Sequence, residues 1–183
     1  MKKIAFLGDS ITLGYGLSDP SRRFSTVFCR AEGYEELNCG ITGTLLARAG
    51  LSASDGTSFL DRYPQMDPEA DAVVVFGGTN DYYWSDGGIE GNDPSCFRFA
   101  AEQLCGGLRE RYPGKRIVLL TPYKQRGHGN FAGAHDFRDA DDHCSDARNF
   151  SGHTLGDYAR VLREVCAARD IPVLDLYDAS GVD

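Results

Sequence analysis

Three short apolar runs, each stopped abruptly by a turn of small or polar residues, constrain this chain more than anything else in it. Lys3 to Leu7 stops at Gly8-Asp9-Ser10, Ala72 to Phe76 at Gly77-Gly78-Thr79-Asn80-Asp81, and Arg116 to Leu120 at Thr121-Pro122. Runs of this length bounded by turn residues read as buried strands that deliver their ends to loops. Between them lie helical patterns. Cys96 to Tyr112 carries Phe97, Ala101, Leu104 and Leu108 at helical spacing and closes at Pro113-Gly114. Leu155 to Arg169 sets Leu155, Tyr158, Leu162, Val165 and Cys166 on one face, and Ile171 to Leu176 then reads as a further strand. Strands alternating with helices predict an α/β fold with a parallel sheet.

Composition narrows the function classes. The 183 residues fit one domain spanning 1–183, with no internal repeat and no linker. A net charge of −8 gives a negative field that repels nucleic acid and anionic lipid, so neither is expected as a partner. No apolar run approaches the roughly 20 residues of a membrane helix. The stretch Ile4 to Leu7 after Met1-Lys2-Lys3 is too short for the apolar core of a secretory signal, so a cytoplasmic protein is expected. The six cysteines include no Cys-x-x-Cys pair and are expected to be reduced, mostly buried thiols.

From Lys124 to His153 the chain turns polar, holds all four His residues, and shows no sustained period. It is read as one long surface loop of the kind that serves as a lid or binding loop. His128, His135, Asp136, His143, Cys144 and His153 are of metal-ligating types, but their spacing fits no compact metal motif.

The candidate chemistry sits in the turns after the runs. Ser10 directly follows the first run, which places its hydroxyl at the carboxyl edge of the sheet, where its own backbone N–H is available as an oxyanion donor. The Gly-x-Ser-x-Gly signature of another hydrolase class is absent. Gly8-Asp9-Ser10-Ile11-Thr12 with Gly14, Asn38-Cys39-Gly40-Ile41-Thr42-Gly43, and Gly78-Thr79-Asn80-Asp81 stand in order along the chain. Together they resemble the first three blocks of the SGNH, or GDSL-type, hydrolases. The later segments Thr121-Pro122, Leu155 to Tyr158 and Ile171 to Tyr177 extend the resemblance over nearly the whole chain.

The resemblance implies a flavodoxin-like three-layer α/β/α sandwich and serine-dependent hydrolysis of a carboxylic ester, without cofactor or metal. It implies Ser10 as nucleophile, with the Gly43 N–H and the Asn80 side-chain amide completing an oxyanion hole. Asp9 and Asp81 are read as turn-holding groups rather than proton carriers. Tyr82, Tyr83 and Trp84 are left between two roles, lining a sugar or acyl pocket and packing over the loop. A short acyl group such as acetyl on carbohydrate is the favoured small-molecule substrate. Thioesters, phospholipids and peptidoglycan acetyl groups stay open.

The family's last block, Asp-x-x-His, has no counterpart before Asp183, and Asp139 to Asp142 before His143 lies at the wrong place in the order. Three explanations follow. The chain lacks a C-terminal segment bearing the base, which is the expectation; a loop His such as His143 is recruited; or the protein is a non-catalytic carbohydrate-binding or regulatory relative. A metal-dependent hydrolase using the polar loop ranks last.

Overall fold

The computed structural model describes residues 1–49, 57–124, 148–149, 151–179 and 181. Five strands, β1 (Lys3–Gly8), β2 (Glu35–Gly40), β3 (Ala72–Phe76), β4 (Arg116–Leu120) and β5 (Val173–Leu174), pair in parallel in the order β2-β1-β3-β4-β5. Seven helices accompany them: α1 (Ser10–Leu13), α2 (Phe24–Glu32), α3 (Phe59–Arg62), α4 (Thr79–Trp84), α5 (Phe97–Arg111), α6 (Leu155–Ala167) and α7 (Leu176–Ala179). These counts refer to the described residues.

Side chains alternate across a strand, so each strand serves two layers. Ala5, Leu7, Val73, Val75, Ile117 and Leu119 point into the larger core with Phe59, Phe97, Leu104, Tyr158 and Leu162 from α3, α5 and α6. Ile4 and Phe6 point the other way and pack with Cys29 of α2. Helices therefore cover both faces of a parallel sheet, the expected α/β sandwich. The predicted faces of α5 and α6 are the buried ones: Phe97, Leu104, Leu108, Tyr158 and Cys166 are wholly inaccessible.

Two elements depart from the sequence reading. The last strand is only Val173–Leu174, not Ile171 to Leu176. The Asp175 carboxylate accepts from the N–H groups of Tyr177 (3.2 Å) and Asp178 (3.4 Å), which starts α7 at Leu176. It also accepts from Thr121 Oγ1 at 2.9 Å and Arg163 Nη1 at 2.6 Å, so the strand ends where this carboxylate gathers its donors. Helix α2 carries no predicted pattern because it buries Ser25 and Cys29 while Phe24, Val27 and Phe28 are exposed.

The predicted loop from Lys124 to His153, with its lid and metal readings, lies mostly outside the described residues. Among the described residues no group of His, Cys, Asp and Glu could hold a metal ion, and no helix is long and apolar enough to cross a membrane. Cys29, Cys96, Cys105 and Cys166 are buried free thiols and Cys39 a half-buried one.

Strand β1 pairs with β2 on one side and β3 on the other, with Gly8 in register with both Gly40 and Phe76. The strand order reverses at β1, and in open parallel sheets such a switch point opens a crevice at the carboxyl ends. Helix α1 can enter that crevice because Gly40 lacks a side chain: a Cβ there would overlap the Leu13 backbone N and lie 2.8 Å from Leu13 Cα. Backbone cannot rotate away from such a clash. Gly40→Ala is therefore expected to cost about 1–3 kcal/mol of stability, read from urea unfolding; an unchanged midpoint contradicts this packing.

Candidate active site

The site is built from the turns that follow three neighbouring strands. After β1, Asp9 caps α1 by accepting from Ile11 N at 2.9 Å, and Ser10 is the first helical residue. A left-handed Gly14 (φ 79°) closes this single turn of helix, so Ser10 is held by caps at both ends.

After β2, Asn38 shapes the turn rather than lining the cavity. Its amide nitrogen donates to Thr12 O at 2.7 Å and its carbonyl accepts from Gly40 N at 3.0 Å, tying α1 to the end of β2. The chain then bends at Gly43, whose φ of 75° lies in the left-handed region that favours glycine. Thr44 Oγ1 closes the bend by donating to Ile41 O at 2.8 Å.

After β3, Asn80 stands in the first turn of α4 and donates from Nδ2 to Thr44 O at 3.0 Å. An amide nitrogen carries two N–H groups, so this bond fixes the amide while leaving the second for a ligand. The next residue, Asp81, is fully buried and accepts from Leu46 N and Ala47 N, each at 2.9 Å. Asn80 and Asp81 thus grip successive parts of one segment, Thr44 to Ala47.

The structure brings Ser10, Gly43 and Asn80 to one cavity of about 330 Å³, whose lining includes Ile11, Tyr15, Tyr83 and Trp84. The aromatic trio divides. Tyr82 is a core residue, its ring 4.9 Å from Tyr83 and 6.0 Å from Tyr158 between centroids, whereas Tyr83 and Trp84 face the cavity. Asn149 anchors this corner by donating to Tyr82 O at 2.9 Å and to the Tyr158 hydroxyl at 3.0 Å.

Against the cavity, whose lining includes Asp9, lies a buried charged layer that the sequence reading only half anticipated. Asp9 holds its own turn, as expected, whereas Asp81 uses its backbone hydrogen bonds to hold the distant segment at Leu46 and Ala47. Burial raises the Asp9 carboxyl to about 6, against the pull of the Ile11 N–H and the Arg62 charge. Burial likewise raises Asp81 to about 7, against its two backbone donors and with a contribution from Asp9.

Arg62, at the end of α3, was not singled out by sequence. It is only 7% exposed and reaches Cys39 O at 2.6 Å, Gly8 O at 3.0 Å and Thr44 Oγ1 at 2.8 Å. The capping box Ser58-x-x-Asp61 marks the start of its helix in the sequence, but nothing there marks the arginine as inward-facing.

With this geometry in place, the comparisons with known proteins are direct. The model of the GDSL-like lipase/acylhydrolase family matches residues 6–183, and the chain belongs to that family. One solved structure is 31% identical, covers 99% of this chain and 80% of its own, and superposes with a TM-score of 0.79. A Lactobacillus plantarum protein is 26% identical over 99% of this chain and 79% of its own, with a TM-score of 0.78. A family two carbohydrate esterase from Clostridium thermocellum, solved with cellohexaose, shares the fold at 19% identity and a TM-score of 0.65. The match covers 96% of this chain and 54% of the esterase. No functionally curated protein matches the sequence significantly.

The buried carboxyls make a test of the layer against the site. A carboxyl whose pKa is higher folded than unfolded binds its proton more tightly in the folded state, so its contribution to stability falls as pH rises between the two values. For Asp81 that window runs from 3.8 to about 7. Asp81→Asn loses an acceptor and is less stable than wild type, and the gap in Tm is expected to narrow as pH rises through this window. A gap independent of pH contradicts the assignment.

Proposed function

We propose that the protein is a serine ester hydrolase and that this cavity is its active site. The observation that carries the reading is the convergence of Ser10, Gly43 and Asn80, from three separate turns, on one cavity. Ser10 Oγ attacks the ester carbonyl. The oxyanion that forms accepts from Ser10 N–H, Gly43 N–H and the second N–H of the Asn80 amide, donors held in advance by their own turns. The tetrahedral intermediate collapses, the alcohol leaves, and water releases the acyl group from Ser10.

A serine hydroxyl needs a base to take its proton. The described lining of the cavity includes no histidine, and the proposal gives this role to a His outside the described residues. Asp9 and Asp81 are excluded as bases because both carboxylates are engaged with backbone N–H groups and shut away from solvent.

The substrate we favour is a short acyl ester, such as acetyl, on a carbohydrate. A cavity of about 330 Å³ is at the small end for ligand pockets, which disfavours long acyl chains. Tyr15, Tyr83 and Trp84 supply aromatic faces of the kind that stack on sugar rings, and a related fold serves a carbohydrate esterase.

Kinetics on the full-length protein test both levels. Ser10→Ala is expected to abolish hydrolysis of p-nitrophenyl acetate, and Asn80→Ala to lower kcat about 100-fold. Activity that survives Ser10→Ala refutes the nucleophile. Trp84→Ala is expected to raise KM for an acetylated oligosaccharide while leaving p-nitrophenyl acetate little changed; equal effects on both refute the sugar-facing role.

A further inference from the structure

The geometry points to Arg62 as a positioning residue for this site: through Thr44 it fixes both the turn that presents Gly43 and the carbonyl that orients Asn80. The inference rests on the serine-hydrolase reading above.

The guanidinium is shared among three elements. Nη1 donates to Cys39 O on β2, and Nη2 donates to Gly8 O on β1 and to Thr44 Oγ1 in the following turn. The first two bonds pin adjacent strand ends, which a purely structural clamp would also do. The third reaches past the strands into the turn that carries Gly43.

That third bond has a directional consequence. A hydroxyl has one proton, and with its oxygen accepting from Arg62, the Thr44 hydroxyl turns that proton to Ile41 O at 2.8 Å. The ring so closed runs from Ile41 to Thr44 and encloses Gly43 at φ 75°. The Thr44 carbonyl meanwhile takes the Asn80 Nδ2 at 3.0 Å, and because only the nitrogen end of that amide can donate to a carbonyl, the bond also decides which way Asn80 faces. One residue, Thr44, thus sets two of the three proposed oxyanion donors, Gly43 and Asn80, and Arg62 sets Thr44.

The choice of arginine fits this role. A buried cation is costly unless its donors are engaged, and here oxygens from three elements engage both Nη atoms, with the cation also 5.0 Å over the Phe59 ring. A lysine is a point charge without the planar fork and cannot serve three acceptors set around it in the same way.

The test uses full-length wild type, Ser10→Ala, Arg62→Lys and Thr44→Val, the last keeping the side-chain shape while removing the hydroxyl. Each is labelled to completion with a fluorophosphonate to count competent sites. Then kcat per labelled site, KM for p-nitrophenyl acetate, Tm, and the inhibition constant of a boronic acid that forms a tetrahedral adduct are measured.

The expected result is a fall in kcat per labelled site of about 10- to 100-fold in both Arg62→Lys and Thr44→Val, the scale of a small misplacement of reacting groups or the loss of an oxyanion donor. Boronate affinity falls in parallel and KM changes little. Unchanged kcat per site and boronate affinity, with only Tm or the count of competent sites reduced, overturns the positioning role and leaves Arg62 a structural clamp. If Arg62→Lys does not fold, Thr44→Val decides alone. A wild type that takes no label, or takes it equally without Ser10, overturns the hydrolase reading and this inference with it.

Discussion

Everything at the candidate site depends on β1 being paired on both sides in parallel register. With Gly8 level with Gly40 on one side and Phe76 on the other, three chain segments leave the sheet at the same height and within reach of one another. Parallel pairing alone would only bring turns close. The absence of side chains at Gly8 and Gly40 lets α1 settle onto the strand ends, since a Cβ at either position would collide with Thr12 or Leu13. The position of Ser10 is therefore a property of the sheet, not of a flexible loop.

The site's polar support is unusual in being charged and buried. Asp81 holds Leu46 and Ala47, Asp9 caps α1, and Arg62 bridges β1, β2 and Thr44. Burying carboxylates is unfavourable in itself, which is why both are raised well above ordinary carboxylates. Apolar side chains of similar volume would often be as stable or more so. What the charged groups provide is direction: each hydrogen bond has a fixed donor and acceptor, and the chain of bonds from Arg62 through Thr44 to Asn80 admits few alternative arrangements. Core packing around Tyr82, Tyr158 and Phe97 supplies the firm floor beneath this layer, with Phe97 and Tyr158 edge to face at 4.8 Å.

Much of this was legible in the sequence because hydrophobic pattern and local turn chemistry are local properties. β1, β3 and β4 are continuous apolar runs, and α5 and α6 are cleanly amphipathic, so their positions follow from residue order alone. β2 has no such signal: it is an edge strand of sequence Glu35-Glu36-Leu37-Asn38-Cys39-Gly40, exposed at Glu35 and half-buried after it. α2 hides for a related reason, since it buries Ser25 to donate to Glu36 at 2.5 Å. Ser10 was placed by the apolar run before it, Gly43 and Asn80 only by the resemblance of their blocks to the family's, and the three line one cavity. Arg62 was not found, because the direction of a long side chain is decided by distant partners, here Gly8, Cys39 and Thr44, that no local pattern connects. The early end of β5 escaped for the same reason, set by Asp175 meeting Thr121 and Arg163 across the fold.

The proposed mechanism requires that an oxyanion at Ser10 meet the donors that the turns hold in place. A crystal structure of the full-length protein bearing a phosphonate adduct on Ser10 measures this directly. The predicted result is a phosphonyl oxygen accepting from Ser10 N, Gly43 N and Asn80 Nδ2 at about 2.7–3.1 Å, with the Thr44 to Asn80 and Arg62 to Thr44 bonds intact. An adduct whose oxygen turns to solvent, or an Asn80 amide that leaves Thr44 and does not reach the oxygen, would contradict it.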